Sequence, residues 1–518
     1  MSTTLTRLAR YLADVRHFPA MKLDLARTER VLFAVLLVAI CLIPYPALPP
    51  AQGPHGYLSS HGLTLAAHLS PEHHFLMYNR IMVDSSGAEH YEAYNRFSIV
   101  PFALIRGAMA FGGDDLFAQI AAARKLMLLF WLGAMFCAYL TFKRLGRRSL
   151  AALTVVLFAF STRFFLSYND MVFNDIPALF GCMLLFHGFV VHWRENRPRQ
   201  LLAKALVAVA LGWQAFAMLF PAVALLWWKN RRTKENLLLA GAPLLLGVAL
   251  LAFNLANECN ATRTHLLETS TAKSIAYRFG IASDETYAPP LAVELQNSYF
   301  LREQAHRLGV SMIPPLVEEV VSALNYSVFL RFDVWLSPFG PYDWIWGVLA
   351  LALALCAIWR GWTPHFPALC LVALALCWTF PMKHFTFQHD FQALFLVGIP
   401  LVLFDALLRR IPDKSKILPL LAIAALISAL FSEIHSLESK TQGSTEAHER
   451  LTALQSIAET LRAERHPVIC VNPQAVEKIG GAGQTLGFTL PEARFTADER
   501  VAQWRLLDTP VRIERLDP

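Results

Sequence analysis

The side chains best suited to proton transfer are concentrated in residues 50–122. This stretch holds six histidines, and several acids lie among them: His55, His61, His68, His73, His74 and His90, with Glu72, Asp84, Glu89 and Glu92. Carboxylate and imidazole groups are common proton carriers in catalysis. Polar, non-repetitive segments on a rigid scaffold are where such sites are usually built, so we expect one here. The alternative is an amphipathic layer on a membrane surface.

A second group of acids lies in the turn Ser167-Tyr-Asn-Asp170-Met-Val-Phe-Asn174-Asp175-Ile-Pro177, between two apolar runs. An acid at the centre of a membrane helix costs about 2.5–3.5 kcal/mol, and less near the interface, so it suggests function. Asp175 is a stronger candidate for a functional acid than Asp170, because it lies at the predicted start of a helix. The alternatives are helix N-capping by Asn174 or Asp175, and plain solvent exposure for Asp170.

Several cations lie beside aromatic residues. Lys383 and His384 fall in a turn between two apolar runs, and Arg80, Arg96 and Arg106 fall in residues 50–122. Such cations suit an anionic ligand, most simply a lipid phosphate. The alternative is a solvated turn in which the lysine stem covers apolar surface and its ammonium reaches water.

The elements that must position these residues are membrane helices. Of 518 residues, 55% are hydrophobic and 16% charged, against about 25% charged in soluble domains. Roughly 20 apolar residues cross a bilayer core. The apolar runs that approach this length are Val31–Pro49, Leu126–Phe142, Leu150–Leu166, Ile176–His192, Leu237–Ala256, Trp344–Trp359, Phe366–Phe380, Ala393–Leu408 and Ile417–Phe431.

Basic clusters between these runs set the orientation, because such clusters stay cytoplasmic. Residues 1–30 are therefore predicted to be cytoplasmic. Leu201–Trp228 lies between two clusters, so it must form a hairpin that turns at Gly212-Trp213-Gln214. The result is an all-α polytopic membrane protein of about eleven transmembrane helices within residues 31–432. Orientation also explains the net charge of +7, so we expect no nucleic-acid partner.

This topology leaves a first outer loop at 50–122, a second at 257–343, and an outer tail at 433–518. In the tail, Ser444–Glu464 has an amphipathic helical pattern, while Pro467–Val471 and Trp504–Asp508 are typical of short strands. We expect a small soluble α/β domain in the periplasm, too small to be stable without docking. Its Cys470 and the external Cys259 either pair or stay free.

Motifs for nucleotide or metalloprotease chemistry are missing from the sequence. It contains no Walker A sequence, no GxGxxG after a strand, no HExxH and no GxSxG. Use of a cytosolic nucleotide is therefore unsupported. An enzyme of this layout would receive its activated substrate on the outer side, tethered to lipid.

The layout resembles the GT-C superfamily of polyprenyl-phosphate-sugar glycosyltransferases, particularly its bacterial dolichyl-phosphate-mannose-protein mannosyltransferase-like branch. The similarity is strongest over residues 29–260. Its elements are a large loop after the first helix, Tyr91-Glu92, Tyr94-Asn-Arg96-Phe-Ser-Ile-Val-Pro101, Ala122-Ala-Arg124, Arg144-Leu-Gly, Asp175-Ile-Pro-Ala-Leu-Phe180 and Gly212-Trp213. No single element is specific to this superfamily. Their order along the chain and the side of the membrane predicted for each are together more specific.

The resemblance implies transfer of a sugar from a polyprenyl phosphate to a lipid, glycan or protein acceptor, usually with inversion. It implies two catalytic acids, which match Glu92 and Asp175, with Asp170 as an alternative to the latter. Family members commonly carry another Asp after the first helix. Here Ser59-Ser60-His61-Gly62 stands in its place, so either His61 serves instead or the chemistry is altered.

The departing polyprenyl phosphate is an anion and needs nearby cations. Arg96, Lys383, His384 and Arg80 are the candidates for binding it. No cofactor is certain; a divalent cation held by Asp175 and a histidine is an open alternative, although hard cations prefer oxygen ligands. The predicted location is the bacterial inner membrane. The competing hypothesis is a lipid-linked glycan transporter or a non-catalytic accessory of envelope glycan assembly.

Overall fold

The computed structural model describes twelve stretches of the chain. They are residues 54–147, 149–160, 163–230, 234–278, 366–379, 390–409, 417, 419–425, 444–464, 466–471, 482–508 and 511–516. The predicted first helix Val31–Pro49, the run Trp344–Trp359 and most of the second outer loop lie outside these stretches, as do residues 1–30.

Helices dominate the described residues up to position 409. In chain order they are α1 (Pro54–His68), α2 (Ile99–Ala110), α3 (Leu116–Arg144), α4 (Ser149–Phe160), α5 (Arg163–Tyr168), α6 (Asp175–Glu195), α7 (Pro198–Leu211), α8 (Ala215–Asn230), α9 (Lys234–Thr262), α10 (Ser270–Arg278), α11 (Leu369–Thr379) and α12 (Gly398–Arg409). Within the described stretches, α3, α6 and α9 are long and apolar enough to cross a membrane. This architecture fits a polytopic membrane protein, while the count of eleven spans stays a prediction.

Helix α6 forms the centre of the helical bundle. It packs against α3 on one side and against α7 and α8 on another, and it is buried along most of its length. Helix α9 packs on α7 and exposes several large apolar side chains, among them Leu245 and Leu238. An apolar face of this size on a long helix suits contact with lipid.

Local sequence signals explain where these helices begin and end. The Asp115 carboxylate accepts a hydrogen bond from the Phe117 backbone N–H (2.9 Å), which caps the start of α3. Lys143 and Arg144 lie in its last turn, where positive charge complements the helix dipole. The predicted break at Gly212-Trp213-Gln214 is confirmed, since α7 ends at Leu211 and α8 begins at Ala215. Helices α4, which covers Ser149–Phe160, and α5, which covers Arg163–Tyr168, lie within the predicted run Leu150–Leu166; residues 161 and 162 fall outside the described stretches.

A six-stranded mixed sheet lies beside this bundle. Its strands are β1 (Tyr78–Val83), β2 (Glu89–Ala93), β3 (Val468–Val471), β4 (Arg494–Thr496), β5 (Trp504–Asp508) and β6 (Val511–Arg515), in the spatial order β2-β1-β4-β3-β5-β6. The β1–β2 and β5–β6 pairs are antiparallel, whereas the other three pairs are parallel. In the β1–β4 pair, Ile81 lies opposite Arg494.

The sheet therefore draws strands from the first outer loop and from the tail. Helices α13 (Ser444–Leu461) and α14 (Ala482–Thr489) pack together, and Leu454, Leu486 and Phe495 belong to their shared apolar core with the sheet. Strands β3 and β5 lie where the sequence predicted strands. The docking that so small a segment needs comes from β1 and from α1, which contacts α14. Cys259 and Cys470 are both free thiols.

His68 joins the outer loop to the tail. Its Nδ1 lies 2.7 Å from the Tyr78 carbonyl oxygen, and its Nε2 lies 3.1 Å from the Gly487 carbonyl oxygen. The ring also stacks on Tyr78, with centroids 4.2 Å apart. Burial lowers the pKa of His68 from 6.5 to about 4, more than its backbone hydrogen bonds raise it.

This depressed pKa predicts a loss of stability in mild acid. As the pH falls below 6.5, the unfolded chain takes up a proton at this position before the folded chain does. The His68 contribution is thus complete above pH 6.5 and is lost toward pH 4, reaching about 3 kcal/mol at about 1.4 kcal/mol per pKa unit. The check is the melting temperature of the purified protein between pH 7.5 and 4.5.

His68→Gln should flatten this pH dependence, although its melting temperature at pH 7.5 will be lower. His265→Gln is the matched control, because His265 is exposed, and it should keep the wild-type slope. An unchanged slope in His68→Gln would refute the assignment.

Candidate functional site

The site begins where α1 lies directly against the turn before α6. The Ser59 hydroxyl oxygen accepts a hydrogen bond from the Val172 backbone N–H (3.2 Å). A Cβ atom at Gly62 would lie 1.9 Å from the Val172 carbonyl oxygen. Only glycine permits this approach, which brings His61 beside the turn that carries Asp170 and Asp175.

His61 is 1% exposed and is surrounded by aromatic rings. Its ring meets Tyr94 edge-on at 4.0 Å between centroids, and Phe173 at 5.8 Å. Burial lowers the pKa of His61 to about 3, and the positive charges of Arg96 and Arg80 lower it further in the same direction. The imidazole is therefore neutral at physiological pH and available as a hydrogen-bonding group.

Arg96 contacts the ring of Tyr94, the same residue that His61 contacts. Its guanidinium carbon is 3.6 Å from the centroid of the Tyr94 ring, a cation–π contact. Nη1 donates a hydrogen bond to the Ser274 hydroxyl of α10 (3.0 Å). The Arg96 backbone carbonyl accepts a hydrogen bond from Trp213 Nε1 (3.3 Å). Arg96 thus connects the outer loop, α10 and the α7–α8 turn.

The backbone around Arg96 is clamped by α9 and by the end of α7. Asn254 Nδ2 donates hydrogen bonds to the carbonyl oxygens of Asn95 (3.0 Å) and Phe97 (2.6 Å). Asn95 Nδ2 in return donates to the Asn254 carbonyl. The Ser98 hydroxyl donates to the Ala210 carbonyl (2.5 Å). A segment with no regular secondary structure is fixed in this way by buried side chains.

Asp175 is fully buried at the start of α6. Its Oδ1 accepts a hydrogen bond from Gln214 Nε2 (3.3 Å) in the α7–α8 turn. That turn also packs tightly on α6, since a Cβ atom at Gly212 would lie 2.4 Å from the Ala178 Cβ. The same turn therefore contacts Asp175 through Gln214 and Arg96 through Trp213.

Arg80 and Glu92 form an ion pair between β1 and β2. Arg80 Nε lies 2.7 Å from Glu92 Oε2, and the Asn79 amide is 3.5 Å from Oε1. Arg80 Nη1 is buried and has no hydrogen-bond partner in the part of the chain that the structure describes. A buried donor of this kind suits an anionic ligand, because an unmade hydrogen bond to a charged group is costly.

The structure links three of the residues predicted from sequence: His61 and Arg96 both contact Tyr94, while the α7–α8 turn bonds the Arg96 carbonyl through Trp213 and the Asp175 carboxylate through Gln214. Asp170 is buried in the same turn as Asp175. Arg80 and Glu92 bind each other, and Arg80 is close enough to lower the pKa of His61. Lys383 and His384 lie outside the described residues.

The other histidines of the first outer loop lie elsewhere. His73 contacts the Tyr91 hydroxyl through Nδ1 (3.1 Å), and His90 pairs with Asp84 (2.8 Å) on an exposed edge. His68 bonds two carbonyls, and His74 is exposed. Among the histidines whose side chains the structure describes, these four serve the fold of the loop or lie in solvent, and His61 lies against the turn before α6.

Gln214 and Ser274 are site residues that the sequence reasoning missed. Gln214 had a usable signal, because an uncharged polar side chain within a long apolar run usually finds a polar partner. Ser274 lies in a polar stretch of the second outer loop, where nothing local distinguishes one hydroxyl from another. Its role depends on Arg96, which is 178 residues away.

A metal centre is not evident in the described stretches, where no three His, Cys, Asp or Glu side chains are grouped so as to hold an ion. The buried oxygens of Asp170, Asn174 and Asp175 share one turn. Oxygen ligands are what a hard divalent cation prefers. A cation at Asp175 stays a prediction.

Comparison with known proteins gives matches in structure alone. No protein-family model matches the chain. No curated protein sequence matches it. ArnT from Cupriavidus metallidurans bound to undecaprenyl phosphate has a TM-score of 0.49 at 13% identity, over 91% of this chain and 86% of the other. Apo ArnT gives 0.44 at 12% identity, over 91% and 86% of the two chains.

The apo oligosaccharyltransferase of Archaeoglobus fulgidus has a TM-score of 0.43 at 12% identity, over 93% of this chain and 65% of its own. Because all three TM-scores are below 0.5, they carry no argument for the reaction or the site residues of this chain.

The close approach at Gly62 predicts a large effect of one methyl group. Gly62→Ala would push α1 away from the Val172 carbonyl, so we expect it to cost about 1–3 kcal/mol of stability and to lower the melting temperature. Gly107→Ala is the matched control, because a Cβ atom there meets nothing within 4 Å. It should be neutral or stabilising by up to about 1 kcal/mol through helix propensity. Equal melting temperatures for the two variants would contradict the geometry.

Proposed function

We propose that this protein is a membrane glycosyltransferase. It transfers a sugar from a polyprenyl-phosphate-linked donor to a hydroxyl of a lipid, glycan or protein acceptor on the outer face of the membrane. The observation that carries the proposal is the convergence of Asp175, His61 and Arg96 from three separate segments, with the Arg80–Glu92 pair beside them.

The reaction needs a base for the acceptor proton. In an inverting transfer the acceptor oxygen attacks the anomeric carbon, the bond from that carbon to the phosphate oxygen breaks, and the acceptor hydroxyl loses its proton. Asp175 is the base in this proposal, because Gln214 holds one oxygen of its carboxylate in place. Asp170 is the alternative base in the same turn.

His61 has a different role in this scheme. With a pKa of about 3 it stays neutral, so it binds a proton too weakly to carry one away from an acceptor at neutral pH. A neutral imidazole can still orient a sugar hydroxyl by hydrogen bonding. The substitution of His61 for the acid that the family commonly carries thus exchanges a charge for a neutral orienting group.

The leaving group is a polyprenyl phosphate anion, which needs positive charge. Arg96 and Arg80 supply it. Both lie close enough to His61 to lower its pKa, and the buried Nη1 of Arg80 is a donor that a phosphate oxygen could accept from. Glu92 then orients Arg80 through their ion pair. Lys383 and His384 stay proposed as further phosphate ligands. A bacterial inner membrane, with the tail in the periplasm, is the setting proposed for the reaction.

The test is transfer of label from polyprenyl-phosphate-[14C]hexoses and pentoses to acceptors in membranes from a strain that lacks the protein. Asp175→Asn should lower the rate at least 100-fold, within the range expected for a lost general base. Asp114→Asn is the control, an exposed carboxylate of the outer segment, and should stay within twofold of wild type. Absence of transfer by the wild type with every donor, or full activity of Asp175→Asn, would defeat the proposal.

A double-mutant cycle separates the orienting role of Glu92 from a catalytic one. If Glu92 acts through Arg80, Arg80→Gln and Glu92→Gln should each raise the donor KM, and the double variant should be little worse than either. The coupling should then be about 0.5–3 kcal/mol, as for residues in contact. If Glu92 is instead the base, Glu92→Gln should lower kcat at least 100-fold even when Arg80 is already replaced.

A further inference from the structure

A polar cavity of about 750 Å³ lies between β2 and the connection from α9 to α10. We refer to it as the β2–α10 cavity. Tyr91 of β2, Arg263 and Thr264 of the connection, and Ser270 and Lys273 of α10 line it. Sites of roughly 300–1,000 Å³ hold ligands of drug size, comparable to a small oligosaccharide.

The cavity is adjacent to the candidate catalytic residues. Ser270 lines it and donates a hydrogen bond to the Ala93 carbonyl of β2 (3.0 Å). Ser274, one helical turn further along α10, accepts the hydrogen bond from Arg96. Because a helical turn rises about 5.4 Å, a ligand at Ser270 would lie one turn from Ser274. Ser274 is the hydrogen-bond partner of Arg96, the residue proposed to bind the leaving phosphate.

Helix α10 forms a rigid wall of this cavity. The buried Glu258 carboxylate accepts hydrogen bonds from the Thr271 hydroxyl (2.6 Å) and from the backbone N–H groups of Ser270 and Thr271. Its charge is therefore used to hold the start of α10. A fixed wall keeps the Ser270 and Lys273 positions constant relative to β2.

The charges around the cavity leave two cations for a ligand. Glu89 pairs with Arg494, and His90 pairs with Asp84. Arg263 and Lys273 are exposed and have no ion-pair partner among the residues described, and Glu268 is the acid that stays unpaired there. Arg263 also has a φ of 55°, a conformation in which Gly or Asn is more usual, so its side chain occupies this position at a backbone cost.

We infer that the β2–α10 cavity binds the sugar acceptor, and that this acceptor is a glycan with an anionic group such as a phosphate. The inference rests on the proposed function, because a bound glycan is an acceptor only if the protein transfers a sugar to it. Hydroxyl oxygens at Thr264, Ser270 and Tyr91 can accept hydrogen bonds from the hydroxyls of a sugar. Arg263 and Lys273 match the anion.

Binding can be measured without turnover, by saturation-transfer-difference NMR on the full chain in lipid nanodiscs. The probes are glucose 6-phosphate, glucose and inorganic phosphate. Wild type should transfer saturation to the sugar protons of glucose 6-phosphate, and at least fivefold less to glucose. Arg263→Gln with Lys273→Gln should lower the glucose 6-phosphate signal at least fivefold. Arg462→Gln, which removes an exposed cation outside this cavity, should leave it within twofold.

Two results would overturn the inference. One is an unchanged glucose 6-phosphate signal in the double variant. The other is a wild type whose sugar protons receive no saturation although inorganic phosphate binds, which would show an anion site without sugar recognition. Both replaced side chains are exposed, and the elution volume on gel filtration checks that the double variant is folded.

The transfer assay separates this inference from the proposed function. The double variant should raise the KM for acceptor at least fivefold and leave the KM for donor unchanged. Binding of glucose 6-phosphate by a wild type that transfers no sugar would defeat the proposed function and leave the cavity as a glycan site. Transfer that is insensitive to the double variant would defeat the acceptor site alone.

Discussion

The hydrogen bonds from Asn254 to the carbonyls of Asn95 and Phe97 are the interaction on which the candidate site depends. Asn254 is fully buried in the predominantly apolar helix α9. A buried amide is costly unless it is bonded, so these bonds strongly favour one position of the 95–97 backbone. Arg96 lies between the two clamped carbonyls, and its contacts with Tyr94, Trp213 and Ser274 follow from that position.

Close backbone approach is the second constraint. Gly62 and Gly212 each occupy a place where a methyl group would overlap a neighbour, Val172 before Asp175 in the first case and Ala178 after it in the second. The acid is consequently enclosed between the outer loop and the α7–α8 turn. Enclosure also explains the charge state of His61, because burial next to two arginines favours the neutral imidazole. In a site that combines a carboxyl, a neutral imidazole and arginines, the carboxylate can accept a proton while the arginines bind an anion.

The sheet extends these constraints to the end of the chain. Strands β1 and β2 carry Arg80 and Glu92, and β1 pairs with β4 more than 400 positions later in the sequence. His68 and the Arg494–Glu89 ion pair add two further links between the outer loop and the tail. The tail thus supports the strands beside the site. Composition changes at residue 433, where the sequence predicted a separate domain. The sheet nevertheless includes strands from both sides of that boundary, since β1 pairs with β4.

The sequence alone determined the features that depend on local pattern. Apolar runs predicted α3, α6 and α9, a central Gly-Trp-Gln predicted the break between α7 and α8, and short apolar segments in the tail predicted β3 and β5. It also marked His61, Arg96 and Asp175 as candidates, because charged and titratable groups are conspicuous in an apolar chain. The tertiary structure decided that His61 lies against the turn before α6, that Gln214 bonds Asp175, and that Glu92 bonds Arg80. These contacts join segments tens to hundreds of residues apart. They depend on burial and close packing, for which a local stretch of sequence carries no signal.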